Sequence, residues 1–223
     1  MKLRHEWKHE ICFADLLALR TRLSALMDQD SHAVNGCYGI RSLYFDNLAD
    51  KALREKLDGV SRREKFRLRY YNGDVSFLLL EKKSKYGSLC QKVQTPLTRD
   101  AVQALAQGDA RLLRESDAPL ARELADKMLA QGLRPRTIVD YVREPFVYGP
   151  GNVRVTLDYG LRTAPASAGF LDPECATIPA PGAPVILEVK WDAFLPDIIR
   201  DAVQVPGVHS AAFSKYAACR AYG

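Results

Sequence analysis

Apolar and polar residues alternate along much of the chain, most sharply in Arg63-Glu64-Lys65-Phe66-Arg67-Leu68-Arg69-Tyr70-Tyr71. A period of two puts successive side chains on opposite faces of a strand. One face here carries Arg63, Lys65, Arg67 and Arg69, and the other Glu64, Phe66, Leu68 and Tyr70. Similar runs predict strands at 3–12, 38–45, 62–71, 75–83, 88–95, 134–147, 153–158 and 185–191. Between 13 and 28 the spacing changes: Phe13, Leu16, Leu17, Leu23, Leu26 and Met27 recur at helical intervals and predict an amphipathic helix. Arg20 interrupts that stripe, and its stem can lie along the apolar face with the charge in water. Further helices are expected at 48–57, at 195–204, from Ser214, and over 98–131, broken near Asp109, Ser116-Asp117 and Pro119. Asn72-Gly73 predicts a hairpin turn, and Gly149-Pro150-Gly151-Asn152 a tight turn. Residues 163–184, rich in Ala, Pro and Gly, read as a surface loop.

No stretch reads as a linker, so residues 1–223 are expected to form a single domain of about eight mostly antiparallel strands with inserted helices. A hydrophobic content of 47% and a charged content of 26% are ordinary for a globular domain. The net charge of +5 hints at an anionic partner without identifying one. Five cysteines without a CxxC pair suggest reduced thiols, mostly small buried hydrophobes, in a cytoplasmic protein. MKLRHEWKHE lacks a signal-peptide core, and no run approaches the ~18 apolar residues of a membrane span, so a soluble chain is expected.

The charged alternation recurs. Arg4, Glu6 and Lys8 share a face, as do Glu81, Lys83 and Lys85, then Tyr141 and Arg143, then Arg154, Thr156 and Asp158, then Glu188 and Lys190. The opposite faces are largely apolar, as in Leu78 and Leu80, or Val153, Val155 and Leu157. A solvated sheet face accounts for any one strand. Recurrence of Arg and Lys across the set suggests instead a barrel closed around a charged lumen, its apolar faces outward beneath the helices. By the same parity Lys65 and Arg41 are expected to point inward, while His5, Trp7 and His9 point away.

RHEWKHE, YGIRSLYFDN, EKFRLRYYN, LLLEKKSKYG, DYVREPF, RVTLDYGLR, ILEVKW and FSKY, in that order, closely resemble the VTC domain, the polyphosphate polymerase domain of the triphosphate tunnel metalloenzymes. The resemblance covers almost the whole chain and implies an α+β fold: a closed antiparallel eight-stranded β-barrel with helices packed around the outside. It assigns phosphate contacts to Lys8, Arg67, Arg69, Lys83, Lys92, Arg143, Arg154 and Lys215, with Tyr141 and Ser214 helping to hold phosphate oxygens. Glu188 falls on the carboxylate for a divalent metal, Mn2+ or Mg2+. Glu6 and Glu81 are second metal anchors or, alternatively, neutralise nearby cations. Arg4 stands where the triphosphatase branch carries the first Glu of Glu-x-Glu-x-Lys, which favours the polymerase branch. Ala212 stands where catalytic eukaryotic members often carry a Lys, which removes one phosphate contact.

The implied activity is transfer of the ATP γ-phosphate to a growing polyphosphate chain. Such transfer asks for positioning and charge neutralisation more than covalent chemistry. A tri- or polyphosphatase in the same tunnel and a non-catalytic polyphosphate-binding module are the alternatives. The expected partners are ATP or triphosphate and inorganic polyphosphate. Nucleic acid is not expected, because aromatics do not interleave with the cations on their face. No membrane segment is expected, though a membrane partner is compatible with the chain.

Overall fold

The computed structural model describes residues 4–87, 89–180, 182–210 and 212–220. Residue 3 of the expected first strand, and the outermost residues of the expected 1–223 domain, lie outside them. The chain forms β1 (His5–Ile11), α1 (Phe13–Leu26), β2 (Asp28–Gln29), β3 (Tyr38–Asp46), α2 (Lys51–Leu57), β4 (Arg62–Tyr71), β5 (Asp74–Tyr86) and β6 (Leu89–Leu97). It continues with α3 (Arg99–Ala106), α4 (Arg111–Arg114), α5 (Pro119–Ala130), β7 (Arg134–Tyr148), β8 (Val153–Pro165), β9 (Ile178–Pro179), β10 (Val185–Trp191), α6 (Asp197–Ala202) and α7 (Lys215–Arg220).

Local chemistry sets these boundaries. Asn72 and Gly73 both have positive φ, 53° and 71°, which is the backbone of a two-residue hairpin turn joining β4 and β5. At the head of α1 the Cys12 amide donates to the Asp15 carboxylate at 3.0 Å, and the Asp15 amide donates to Cys12 Sγ at 3.4 Å. This reciprocal cap satisfies two amides that the helix leaves unpaired. Arg20 of α1 lays its guanidinium on Glu144 of β7, with hydrogen bonds of 2.8 and 2.7 Å.

All strand pairs are antiparallel, in the order β1-β10-β8-β7-β3-β4-β5-β6. The expected closed barrel is not formed. The sheet is open and strongly curled, turning through 212° and bringing its edges, β1 and β6, to 6 Å. Closure would need a continuous hydrogen-bond ladder between those edges. They share one isolated bridge, Arg4 to Cys90, and no ladder extends it among the described residues.

The convex face carries two cores. Leu43, Phe66, Leu68, Leu78 and Leu80 pack against Leu105, Leu120 and Leu124 of the α3–α5 segment. Phe146, Val155, Leu157, Leu187 and Val189 pack against Leu16, Leu19 and Leu23 of α1 and Ile199 of α6. Each such buried side chain stabilises the fold by about 1.5–3 kcal/mol. The loop after β8 joins the first core: Phe170 and Leu171 are buried, and the Tyr70 hydroxyl donates to the Phe170 carbonyl at 3.0 Å. Part of the expected surface loop is therefore core. Not every helix lies outside, either. Tyr216 and Cys219 of α7 pack with Ile40, Tyr44, Val139 and Tyr141 on the concave face. Tyr216 stacks on Tyr44 at 5.0 Å and donates to Asp46 at 2.8 Å. The five cysteines are free, but only Cys219 is buried. No helix among the described residues is long and apolar enough to cross a membrane.

Candidate polyanion site on the concave face

The inward parity of β4 places Arg67 and Arg69 around one carboxylate, Glu81 of β5, which is 1% exposed. Arg67 donates from Nε to Glu81 at 2.7 Å and from a terminal nitrogen to the Tyr44 hydroxyl at 2.8 Å. Arg69 lies 3.7 Å from Glu81 and donates to Ser42 and to the Tyr141 hydroxyl, both at 3.1 Å. Lys92 of β6 reaches the same carboxylate at 3.2 Å.

A second node joins β1 and β10, where the register sets Lys8 opposite Glu188 and Glu6 opposite Lys190. Lys8 lies 2.8 Å from Glu6 and 3.3 Å from Glu188. Lys83 crosses the open seam to Glu6 at 3.0 Å. Lys190 pairs with Glu188, and Arg143 comes within 4.0 Å of it. A third node is Asp158, fully buried, gripped by Arg143 at 2.6 and 2.7 Å and by Lys215 at 2.6 Å. Arg154 bonds the Tyr38 hydroxyl at 2.6 Å and pairs with Asp30 at 2.8 Å. The central cavity is about 390 Å3 and, among the described residues, is lined by eleven lysines and arginines against two glutamates, Glu6 and Glu188.

These contacts set the ionisation. Burial and the nearby Glu188 push the Glu6 carboxyl up, but Lys8, Lys83 and Lys190 outweigh them and hold it at about 2. Burial likewise opposes ionisation of Glu81 and Glu188, yet their cations keep both well below the usual carboxylate range. Each folded pKa is depressed, so each group stabilises the fold above its unfolded pKa, and that stability is lost as pH falls toward the folded one. Acid is therefore expected to lower the melting temperature steadily from about pH 5 to about pH 2, with Glu6 alone worth on the order of 3 kcal/mol. A pH series of thermal melts checks this, and a flat profile over that window would contradict it. Lys65 behaves oppositely. Burial, reinforced by Lys83, Arg67 and Lys8, pushes it down to about 7, with only Tyr44 opposing.

Of the residues expected from the sequence, Lys8, Lys65, Arg67, Arg69, Lys83, Lys92, Tyr141, Arg143, Arg154, Glu188, Ser214 and Lys215 line this cavity, with Glu6 beside Glu188. Glu81 lies behind it, held by Arg67, Arg69 and Lys92, in a neutralising position. Arg41 does not join the set. The parity of β3 sends Ser42 and Tyr44 inward and Arg41 to the convex side, where it forms a bidentate pair with Asp140 at 2.9 and 2.7 Å. Arg41→Ala is expected to cost about 2–3 kcal/mol by stranding Asp140 while leaving triphosphate affinity unchanged, as melting and binding titrations would show. Tyr38, Tyr44 and Asp158 were not anticipated as site residues, although Asp158 stood in the alternating pattern.

The donor set also bears on a metal. Among the described residues no three His, Cys, Asp or Glu side chains cluster as a ready-made cation cage. What exists is the Glu6 and Glu188 pair, with the Thr156 hydroxyl buried, in register with Glu188 and without a hydrogen-bond partner. Hard oxygen donors in that number suit Mg2+ or Mn2+, which keep waters and substrate phosphate oxygens in their shell rather than demanding an all-protein cage.

Residues 3–222 match the VTC domain family model, and the chain belongs to that family. This family of tunnel-type proteins typically uses divalent metals. Among solved structures, a candidate adenylate cyclase from Bacillus halodurans is 11% identical with a TM-score of 0.53, the match covering 92% of this chain and 93% of that one. A candidate adenylate cyclase from Vibrio parahaemolyticus is 10% identical over 90% and 82% of the two chains, with a TM-score of 0.49. A protein from Pyrococcus horikoshii OT3 is 11% identical over 95% and 96%, with a TM-score of 0.49. At such identity the first of these likenesses speaks to the fold alone. No curated protein matches the sequence.

Proposed function

We propose that this chain is a metal-dependent phosphotransferase that lengthens inorganic polyphosphate by the γ-phosphate of ATP. The observation that carries the reading is the convergence of eleven cations on one cavity with a carboxylate pair on a single wall. A triphosphate carries close to four negative charges, and a row of fixed cations orders its phosphates without reading any sequence. Arg67, Arg69 and Arg143 present planar forks that match phosphate oxygens, while Lys8, Lys83 and Lys215 act as point charges. Each is already oriented by a buried or half-buried carboxylate, so little reorganisation accompanies ligand entry.

Glu188, with Glu6, would hold the divalent ion, which when bound neutralises charge developing on the phosphate oxygens. The chain's own residues orient the terminal phosphate of the acceptor in line with the γ-phosphorus, and ADP departs. The proposed location is cytoplasmic, where ATP is supplied, and the partners are ATP and polyphosphate.

The open seam favours a second reading, hydrolysis of tri- or polyphosphate, because a sheet that does not close admits water beside the cavity. One experiment separates the two: purified protein with ATP and Mn2+, its products resolved by phosphorus NMR and gel. Long chains with ADP support the polymerase, and orthophosphate without chains supports the hydrolase. Binding without turnover would refute both.

A further inference from the structure

Strand β1 pairs with β10 on one side only, and its other side is met at two points. Arg4 forms an isolated bridge with Cys90 of β6, and His9 forms another with Ser210. The second bridge belongs to the chain that leaves α6. Residues 203–210 run along the convex face to this edge of β1. Residues 212–214 continue on the concave side, where Phe213, Ser214 and Lys215 line the central cavity. One short connection therefore passes round β1 and delivers two of the expected phosphate contacts to their places. At the head of α7 the Ser214 hydroxyl accepts from the Ala217 amide at 3.4 Å, and Lys215 reaches Asp158 at 2.6 Å.

The connection is loosely seated. A cavity of about 320 Å3 lies beneath it on the convex side, lined by Trp7, His9, Arg200, Val205, Val208 and Ser210 among others. Its first half is held by Arg22, which donates to the Gln204 carbonyl at 3.1 Å, and it then turns at Gly207, where φ is 72°. Past that turn, among the described residues, the polar hold on 209–213 is the bridge to His9 and a hydrogen bond between the His9 ring and the His209 backbone. Ser210 also borders a chamber on the concave side, with Lys8, Phe213 and Ser214, so the connection is a wall common to both faces. The surroundings of His9 favour a neutral ring. Opposite it β10 presents Leu187, α6 presents Arg200 already paired with Asp197 and Asp201, and the connection presents the exposed His209. Among the described residues no carboxylate lines this cavity, and burial pushes the pKa of the half-buried imidazole down.

We infer that His9, on the far side of β1 from the cations, is a positioning residue for phosphate binding: by tying the 203–214 connection to the strand it fixes Ser214 and Lys215 on the concave face. This rests on the proposed reading of those two residues as phosphate contacts. The neutral ring makes one directed bond to the backbone of the connection. A protonated ring is driven toward water and away from Arg200, and the tie slackens. Acid therefore weakens phosphate binding through a group that holds no phosphate.

The test titrates wild type, His9→Ala and His9→Gln with tripolyphosphate from about pH 5 to about pH 8. At the upper end His9→Ala is expected to bind about fivefold or more weakly, the size of a coupling carried through one connection. His9→Gln keeps a side-chain N–H for the backbone without titrating, and is expected to stay within about twofold of wild type. Below about pH 6.5 the wild type should lose affinity more steeply than His9→Gln, the protonation of the ligand being common to both. A double-mutant cycle with Lys215→Ala checks the route: once Lys215 is gone, His9→Ala should cost less than about twofold more. Additive losses, no effect of His9→Ala, no rescue by glutamine, or coincident pH profiles would each overturn the inference. Thermal melts at each pH control for folding, and if His9→Ala melts early, the comparison of wild type with His9→Gln carries the test. If Lys215→Ala binds as the wild type does, the reading of the cavity falls and the inference with it. If Lys215→Ala weakens binding and His9→Ala does not, the inference alone falls.

Discussion

Arg67→Ala is expected to reduce kcat/KM for ATP by about 10²–10³-fold, the cost of removing one preorganised group from charge developing in a transition state. Arg67 spends its Nε and one terminal nitrogen on Glu81 and the other on Tyr44. A guanidinium has five N–H donors, so some remain for phosphate while the fork is held in place. Alanine removes the donors and also part of the charge that keeps Glu81 ionised. Arg69 and Lys92 still reach that carboxylate, so the variant should fold. Arg67→Lys should recover only part of the loss, because a point charge cannot reproduce a two-pronged contact. Initial rates of ADP release, with chain products followed by phosphorus NMR, measure the effect. Full activity in the alanine variant would mean that phosphate is handled elsewhere.

Tripolyphosphate at about a hundredfold above its dissociation constant should stabilise the native state by about 2.7 kcal/mol, which for a chain of this size raises the melting temperature by about 5–10 °C. Two sources of repulsion are relieved. One is the excess, among the described residues, of eleven cations around the central cavity over the six carboxylates they reach, Glu6, Asp30, Glu81, Asp158, Glu188 and Asp192. The other is the row Lys65, Lys83, Lys92, three lysines set side by side by the register. Raising the salt to about 1 M shrinks the Debye length to about 3 Å and should reduce the increment. A melting temperature indifferent to triphosphate at low salt would contradict the reading of the concave face.

Much of this was visible in the sequence because a strand with one buried and one charged face advertises both in its alternation. β4 is the clearest case: Phe66 and Leu68 are buried against the α3–α5 segment, while Arg67 and Arg69 turn inward. β3 is the instructive failure. Tyr38, Ile40 and Tyr44 are buried on its concave side, and Leu43 and Phe45 on its convex side. With apolar groups on both faces the parity is not written in polarity. A polar residue in such a strand gives no clue to its direction, so Arg41 was expected inside and Tyr44 passed unnoticed. The carboxylates were hidden for another reason. Glu81 and Asp158 read as ordinary members of charged faces, and only the cross-strand register reveals how many cations each one serves. Closure of the barrel lay beyond local pattern altogether, since it depends on whether two edges eighty-odd residues apart find a common ladder.

That seam bears on how a polymer and this protein could meet. A closed ring can be entered by a long chain only at one of the chain's ends, so the frequency of productive encounters falls as the chain grows and its ends become scarce. A curled sheet fastened by the Arg4–Cys90 bridge and the Lys83–Glu6 ion pair is a clasp. If that fastening parts, the backbone of a polyanion can be laid in from the side, anywhere along its length, and Lys83 is then free to change its partner from Glu6 to the chain it has admitted.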